Sequence, residues 1–234
     1  MRMVRAFRSC VAFGALLFLS VFASPTCAEQ HSVSITDTNY HLMASPFATP
    51  AGAPLAFSNL VKSTNGAFIF WTWDSTAQTF APASRFFLNS WSFGGSTTVA
   101  RGRGFWVRKD SGSAYDIVFT GSLTTAQAVT NRMVSANPSS LHLVGYPYLA
   151  AVALTNLNLT NDIRPYVTGT TLYVYNSTAR SYRVFFFDAD GSLGGGWQDA
   201  DDPGQPTDYV LQPMEGFWIW MLGQTSLVWR ALAP

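Results

Sequence analysis

The sequence is poor in cysteine, in histidine and in charge. Its 234 residues include two cysteines and three histidines, and the 12% of charged residues leave a formal net charge of +1. The large basic excess that nucleic-acid binding needs is absent. Intrinsic disorder is excluded as well, because it combines low hydrophobicity with high charge, and 48% of this chain is hydrophobic. The composition indicates a globular chain of one or two domains with a core of its own.

Both cysteines lie in an N-terminal segment that has the features of a secretory signal peptide. Three arginines within the first eight residues precede an apolar run over residues 10–23, and small residues ending at Ala28 offer a cleavage site. The run is shorter than the about 20 residues that span a membrane. We therefore predict a signal peptide over residues 1–28 and a secreted protein that is extracellular, periplasmic or on the outer surface. An uncleaved anchor and lipidation at Cys27 are the alternatives.

Cleavage after Ala28 changes the balance of the chain. It removes three of the 14 basic residues and none of the 13 acidic ones, so the net charge becomes −2. A chain without cysteine has no disulfide, no thiolate metal site and no cysteine nucleophile, and its core must hold it together. No second long apolar stretch follows, so we predict no transmembrane segment after cleavage.

The chain repeats itself at an offset of about 100 residues. Five short segments of the first half recur in the same order in the second half. The matched residues are 41–47 with 142–148, 55–60 with 152–157, 73–80 with 175–182, 104–107 with 216–219, and 117–119 with 227–229. Five matches in one order indicate a duplication. We predict a first repeat over residues 29–130 and a second repeat over residues 131–234.

Each repeat reads as a β structure. Glycine and proline interrupt the chain at short intervals, no long helical periodicity occurs, and the runs between them are rich in aromatic and β-branched residues. Residues 68–71 and 184–187 are apolar throughout, which is typical of strands covered on both faces. We predict an all-β fold with two homologous repeats of about five strands and a short helix each. The repeats are expected to pack over an apolar interface as a β-sandwich or barrel-like pseudo-twofold unit.

The repeated pattern has three parts. They are His-Leu-x-x-x-Pro, then an aromatic residue with Asp/Asn-Ser-Thr-Ala, then Gly-Phe-Trp-Val/Ile. This pattern resembles a tandem β-repeat of secreted, uncharacterised bacterial proteins, over about residues 40–230. The fuller match is Arg-Gly-Arg-Gly-Phe-Trp-Val at residues 101–107, whereas the second copy departs from the pattern with Met214-Glu215 before Gly216. The resemblance implies a secreted β-repeat protein and no particular activity.

Acidic residues are concentrated in one segment of the second repeat. No lysine or arginine lies between residues 188 and 208, and like charges repel unless they are solvated or bridged by a cation. The spacing does not fit an EF-hand. We predict a solvated loop, with a calcium site as the alternative; its ligands would be Asp188, Asp190, Asp199, Asp201 and Asp202. Apart from calcium, we predict no cofactor.

Catalytic patterns are otherwise missing from the sequence. It contains no Gly-x-Ser-x-Gly elbow and no Walker loop. His41 and His142 occupy equivalent repeat positions, which favours a structural role for both. A paired-carboxylate hydrolase, similar to a glycosidase and using residues 188–208, is the enzymatic alternative.

The eight tryptophans supply the candidate binding residues. Trp106 and Trp218 are equivalent in the repeat and are predicted to lie in the core. Trp91 and Trp197 lie beside glycine-rich stretches in predicted loops, where aromatic rings can stack on sugar rings or peptide segments; the alternative is that they cap the ends of the fold. We predict a non-catalytic binding, adhesion or envelope-associated module. Its ligand would be extracellular, such as a polysaccharide or a cell-surface component.

Overall fold

The structure is a computed structural model that describes residues 28–63, 66–87, 90–110, 115–134, 139–159, 170–221 and 226–234. These residues form antiparallel strands together with one short α-helix and one 3-10 turn. The all-β prediction is therefore confirmed. Within the same residues, no helix is both long and apolar enough to cross a bilayer.

The strands of the first half precede residue 122. They are β1 (Glu29–Ile35), β2 (Tyr40–Ala44), β3 (Leu55–Ala56), β4 (Val61–Ser63), β5 (Phe68–Asp74), β6 (Thr79–Phe80), β7 (Ser84–Phe87), β8 (Ser90–Phe93), β9 (Thr98–Val99), β10 (Gly104–Lys109) and β11 (Tyr115–Gly121), with the helix α1 (Phe57–Leu60) between β3 and β4.

The strands of the second half follow residue 127. They are β12 (Ala128–Val134), β13 (Ser140–Gly145), β14 (Val152–Ala153), β15 (Thr171–Asn176), β16 (Ser181–Asp188), β17 (Gly196–Asp199), β18 (Asp202–Pro206), β19 (Val210–Leu211), β20 (Gly216–Met221) and β21 (Ser226–Leu232), with the 3-10 turn (Leu154–Asn156) after β14. Because β12 begins at Ala128, the predicted boundary between residues 130 and 131 falls inside a strand.

Each half contains one large open sheet. The strand order is β2-β10-β5-β7-β8 in the first half, and β13-β20-β15-β16-β17-β18 in the second. Smaller sheets flank them: β1-β11-β4 and β3-β9 in the first half, β12-β21 and β14-β19 in the second. In both large sheets, the strand that carries Gly-Phe-Trp lies between the first strand and the central hairpin.

The central hairpin of each large sheet forms where its sequence predicts a turn. Asp74 and Asn176 end β5 and β15, and each side-chain oxygen accepts two backbone N–H bonds from the turn, at 2.8–3.0 Å. Such bonds stabilise a tight turn locally. Gln78 and Arg180 close the two turns with φ of 52° and 54°.

Two parts of the β structure differ from prediction. The aromatic residues between 79 and 88 predict one return strand after the turn. The structure instead has two short strands there, β6 and β7, because Pro82 between them has no N–H to donate to a ladder. The predicted loop between Asp188 and Asp208 contains β17 and β18, which extend the second sheet beyond β16. The acidic segment is therefore part sheet and part loop.

Three apolar clusters hold the structure together. One face of the first large sheet covers a core that includes Phe68, Phe70, Phe105 and Val107. The matching face of the second sheet covers a core that includes Leu172, Phe185, Phe217 and Ile219. The third cluster is formed by Leu42, Trp106, Leu143 and Trp218, two residues from each half. The two halves therefore share an apolar interface, as the sequence predicts.

The halves also meet backbone to backbone, and these contacts come in matched pairs. The N–H of Ala44 donates to the carbonyl of Met214 at 2.9 Å, and the N–H of Gly145 donates to the carbonyl of Gly102 at 3.1 Å. Isolated β-bridges lie beside both bonds; they join Met43 to Glu215 and Arg103 to Val144.

Gly145 permits this close approach. A Cβ atom at Gly145 would overlap the Cβ of Ala44 and would lie 2.9 Å from the carbonyl oxygen of Glu215. Protein interiors are packed so densely that an added methyl group does not fit unless its neighbours shift. The junction between the halves therefore has room for one methyl group.

Candidate functional site

A groove of about 920 Å³ opens beside the third apolar cluster, and its lining is almost entirely aromatic. Besides Gln78, Ser139 and Leu141, the described lining residues are Tyr40, Trp71, Trp73, Phe80, Trp106, Tyr173, Tyr175, Tyr182, Trp218 and Trp220. None of these residues is charged. The described part of the lining therefore offers ring faces and neutral hydrogen-bonding groups to a ligand, but no carboxylate or ammonium.

Strand alternation explains why these rings face the groove. Successive side chains of a strand point to opposite faces. On β10, Phe105 and Val107 enter the first core, so Trp106 faces the other way; on β20, Trp218 does the same opposite the second core. The register places Trp106 opposite Trp71 on β5, and Trp218 opposite Tyr173 on β15.

Each central tryptophan also contacts an aromatic ring of the other half. Trp106 meets Tyr175 with ring centroids 4.8 Å apart and an interplanar angle of 75°, and Trp218 meets Trp73 at 5.0 Å and 88°. Edge-to-face pairs of this kind are favourable beyond their buried area. The two tryptophans are only 8% and 6% exposed. They form the floor of the groove, and the floor exists only when both halves are packed together.

The hairpin of the first half is fastened to the second half by polar bonds. The Gln78 amide donates to the carbonyl of Leu141 at 3.1 Å and accepts from its N–H at 2.9 Å. The indole N–H of Trp73 donates to the same carbonyl at 2.9 Å. At the opposite rim, the guanidinium of Arg108 lies 5.3 Å from the ring centroid of Tyr40. These contacts hold both walls of the groove in place, and the Arg108 guanidinium also lies over the Trp71 ring, 5.9 Å from its centroid.

The five aspartates predicted as calcium ligands do not converge on one point. Among the described residues, no group of three or more Asp, Glu, His or Cys side chains could hold a metal ion. Asp188 is buried and accepts the N–H bonds of Leu193 and Gly195 at 2.9 and 2.8 Å. Asp199 pairs with the Arg183 guanidinium. The remaining three, Asp190, Asp201 and Asp202, are exposed. Calcium binding stays a prediction.

We expect Asp188 to stabilise the turn after β16. Burial raises the pKa of this carboxyl, but the hydrogen bonds from Leu193 and Gly195 outweigh it, so the pKa lies below its ordinary value. Asp188→Ala would leave two N–H groups without their acceptor and lower the melting temperature by about 2–4 °C. The exposed Asp202 is the control, and Asp202→Ala should change the melting temperature less. Melting curves measured with a chelator and with calcium check both variants. An Asp188→Ala variant that melts at the wild-type temperature in the chelator would contradict the expectation.

The two tryptophans predicted as a binding platform lie in strands rather than in exposed loops. Trp197 is 2% exposed, lies in β17 and packs into the second core. Trp91 in β8 is half-buried and stacks on Phe57 with centroids 5.7 Å apart and planes within 20°. Strand pairing turns both rings toward the cores, so they do not lie in exposed loops, and ligand binding by Trp91 and Trp197 stays a prediction.

Two of the groove residues, Trp106 and Trp218, are predicted from the repeat to lie in the core. Trp106 and Trp218 are nearly buried, as expected of core residues, but they lie on the side of the sheets opposite the two main cores. The sequence carries a signal for this second apolar face. Residues 68–71 are apolar without alternation, which indicates that both faces of β5 are covered.

Comparisons with known proteins add no relative to this description. No protein-family model, no curated protein and no solved structure matches the chain. The resemblance to a tandem bacterial β-repeat therefore stays a prediction, and the function is argued from the groove.

Proposed function

We propose that the protein is a secreted, non-catalytic binding module of two homologous repeats that holds a neutral polysaccharide in the aromatic groove. The observation that carries this proposal is the groove itself: about 920 Å³ lined by aromatic rings, with no charged residue among the described lining residues. Pockets of this size, formed mainly by aromatic side chains, are the usual sites of ligand binding.

The matched geometry of the halves supports a duplication with pseudo-twofold symmetry. Apart from the additional edge strand β18, both large sheets follow one strand order when equivalent strands are compared. The register agrees as well, because Trp106 lies opposite Leu42, and Trp218 opposite Leu143. The paired backbone bonds between the halves are reciprocal, as the contacts around a twofold axis must be.

The chemistry of the lining supports a sugar polymer as the ligand. A pyranose ring has faces of C–H groups and an edge of hydroxyl groups, so its faces can cover aromatic rings while its hydroxyls remain near water. Burial of apolar faces contributes about 25 cal/mol per Å². A charged polymer would lose hydration against this uncharged lining, and the Arg108 guanidinium at the rim already lies over the Tyr40 ring and 3.9 Å from an Asp110 carboxylate oxygen. A neutral polysaccharide fits better.

A binding role is also favoured over hydrolysis. A glycosidase of the usual kind needs two carboxyl groups on either side of the scissile bond. None of the five aspartates of the predicted calcium site is among the residues that line the groove. Asp188 and Asp199 are instead engaged by backbone N–H groups and by Arg183.

The proposal is tested by titrating the secreted protein with soluble neutral polysaccharides and following tryptophan fluorescence. We expect saturable binding of at least one neutral polymer, and at least tenfold weaker binding by Trp220→Ala, whose half-buried ring lines the groove. Phe93→Ala is the matched control, because Phe93 is 51% exposed and is not among the lining residues. Absence of binding to every neutral polymer, or equal loss in both variants, would overturn the proposal.

A further inference from the structure

The groove is built twice from equivalent residues. The first half-site consists of Trp106 with its neighbours Tyr40, Trp71 and Tyr175. The second half-site consists of Trp218 with its neighbours Leu141, Trp73 and Tyr173. Each half-site combines three side chains from the sheet of its own half with one hairpin ring from the other half.

We infer that the two half-sites hold two stretches of one β-linked glucan chain. This inference rests on the proposed function and names the class of polysaccharide. Both half-sites open into a single groove, so a ligand with one ring fills one of them, whereas a chain can fill both. Linking two binding events in this way raises the affinity far above that of either event alone.

The symmetry of the half-sites restricts the stereochemistry of the chain. Two half-sites related by a twofold rotation contact a bound chain in opposite chain directions. The ligand must therefore present the same kind of surface in both directions. In β-1,4-linked glucose every ring substituent is equatorial, and both ring faces carry only C–H groups. An axial hydroxyl, as at C2 of mannose, would place a polar group against an aromatic ring without a partner.

The polar groups of the lining favour glucose over its acetamido derivative. An acetamido group brings an N–H donor that needs an acceptor when it is buried. The described lining contains no carboxylate, and its one side-chain amide, that of Gln78, is already bonded to Leu141 and Ser75, which leaves few polar groups besides the hydroxyls of Ser139 and the tyrosines. The hydroxyls of unsubstituted glucose rings lie at the edge of the chain, where they can stay in contact with water, and no amide has to be buried.

Calorimetric titration with cellobiose, cellotetraose and cellohexaose tests the inference. We expect the dissociation constant to fall by about 100-fold from cellobiose to cellohexaose, because the longer chain reaches both half-sites. Trp71→Ala and Tyr173→Ala change equivalent, half-buried positions, one in each half-site. Each is expected to weaken cellohexaose binding by a similar factor of about ten, and the double variant should bind cellohexaose no better than wild type binds cellobiose.

Mannohexaose and chitohexaose separate failure of the inference from failure of the proposed function. Three results would overturn the inference and leave a polysaccharide-binding function standing. The first is that mannohexaose or chitohexaose binds as tightly as cellohexaose, and the second is that affinity does not rise with chain length. The third is that one single variant loses all binding of cellohexaose while the other binds it like wild type. No binding of any neutral glycan would overturn both. Melting curves of both variants show whether each is folded. If either is unfolded, Trp71→Phe and Tyr173→Phe replace the pair, with the same requirement of equal effects.

Discussion

Gly145→Ala is expected to destabilise the protein by about 3 kcal/mol, and Ala44→Gly in the same chain is expected to restore part of the loss. The recovery is partial because the added Cβ would still lie 2.9 Å from the carbonyl oxygen of Glu215. The added methyl group would overlap the Cβ of Ala44 at the junction of the halves. In the double variant, the one methyl group at the junction belongs to residue 145 of the second half instead of residue 44 of the first half. The double variant has the same number of atoms at the junction as wild type. The part of the free energy of unfolding that it regains therefore measures how nearly the two sides of the junction can replace each other.

Urea denaturation of the four proteins gives the coupling energy between the two positions. A recovery of less than about 0.5 kcal/mol in the double variant would show that the two substitutions act independently, contrary to the geometry. Gly191→Ala separates steric overlap from backbone strain. A Cβ there meets nothing within 4 Å, but its φ is 74°, so about 1–2 kcal/mol of conformational strain is expected without a clash.

The protein is expected to lose about 3 kcal/mol of stability as the pH falls from 6.5 to 4, through His142 alone. The ring is completely buried on β13, where Nε2 lies 3.1 Å from the Ser140 hydroxyl. Burial, and then the charge of Arg103, lower the pKa of His142 from 6.5 to about 4. The unfolded chain therefore binds a proton in this range while the folded chain does not. The contribution is complete above pH 6.5 and is lost as the pH approaches 4.

Comparison of wild type with His142→Gln isolates this effect from the other titrating groups. Burial also lowers the pKa of His31 and raises that of Glu215, but both groups are present in both proteins and cancel in the difference. His41→Gln is the control, because His41 at the equivalent position is partly exposed and bonded to Asp37. A direct NMR titration that gave His142 a pKa near 6.5 would refute the expectation even if the variant failed to fold.

Local patterns predicted the hairpins and the central strands well. The turns after Asp74 and Asn176 depend on side chains within the same four residues, and β10 and β20 have their predicted bounds, because aromatic and β-branched runs favour strands wherever they pack. The edge strand β18 could not be predicted in this way. Its sequence, Asp-Pro-Gly-Gln-Pro, has low strand propensity, and it is a strand because β17 offers it an unpaired edge.

The location of the groove could not be predicted from periodicity. Alternation shows that Trp106 and Phe105 point to opposite faces of a strand, but it does not show which face covers the larger core. That choice depends on the contact between two sheets whose residues are about 100 positions apart in the chain. The same limit explains Trp197: the three glycines before it suggested a loop, whereas pairing with β16 places the ring in the second core.

The single methyl group at the junction also bears on how such a chain could arise. On the proposed duplication, the repeat once paired with an identical copy, and both sides of its junction then carried the same residue. Two alanines would overlap there, and two glycines would leave the space of one methyl group empty, so neither symmetric ancestor packs as well as Ala44 against Gly145. On the same proposal, fusion into one chain would let the two sides diverge. Two identical first halves or two identical second halves would then assemble less stably than one of each.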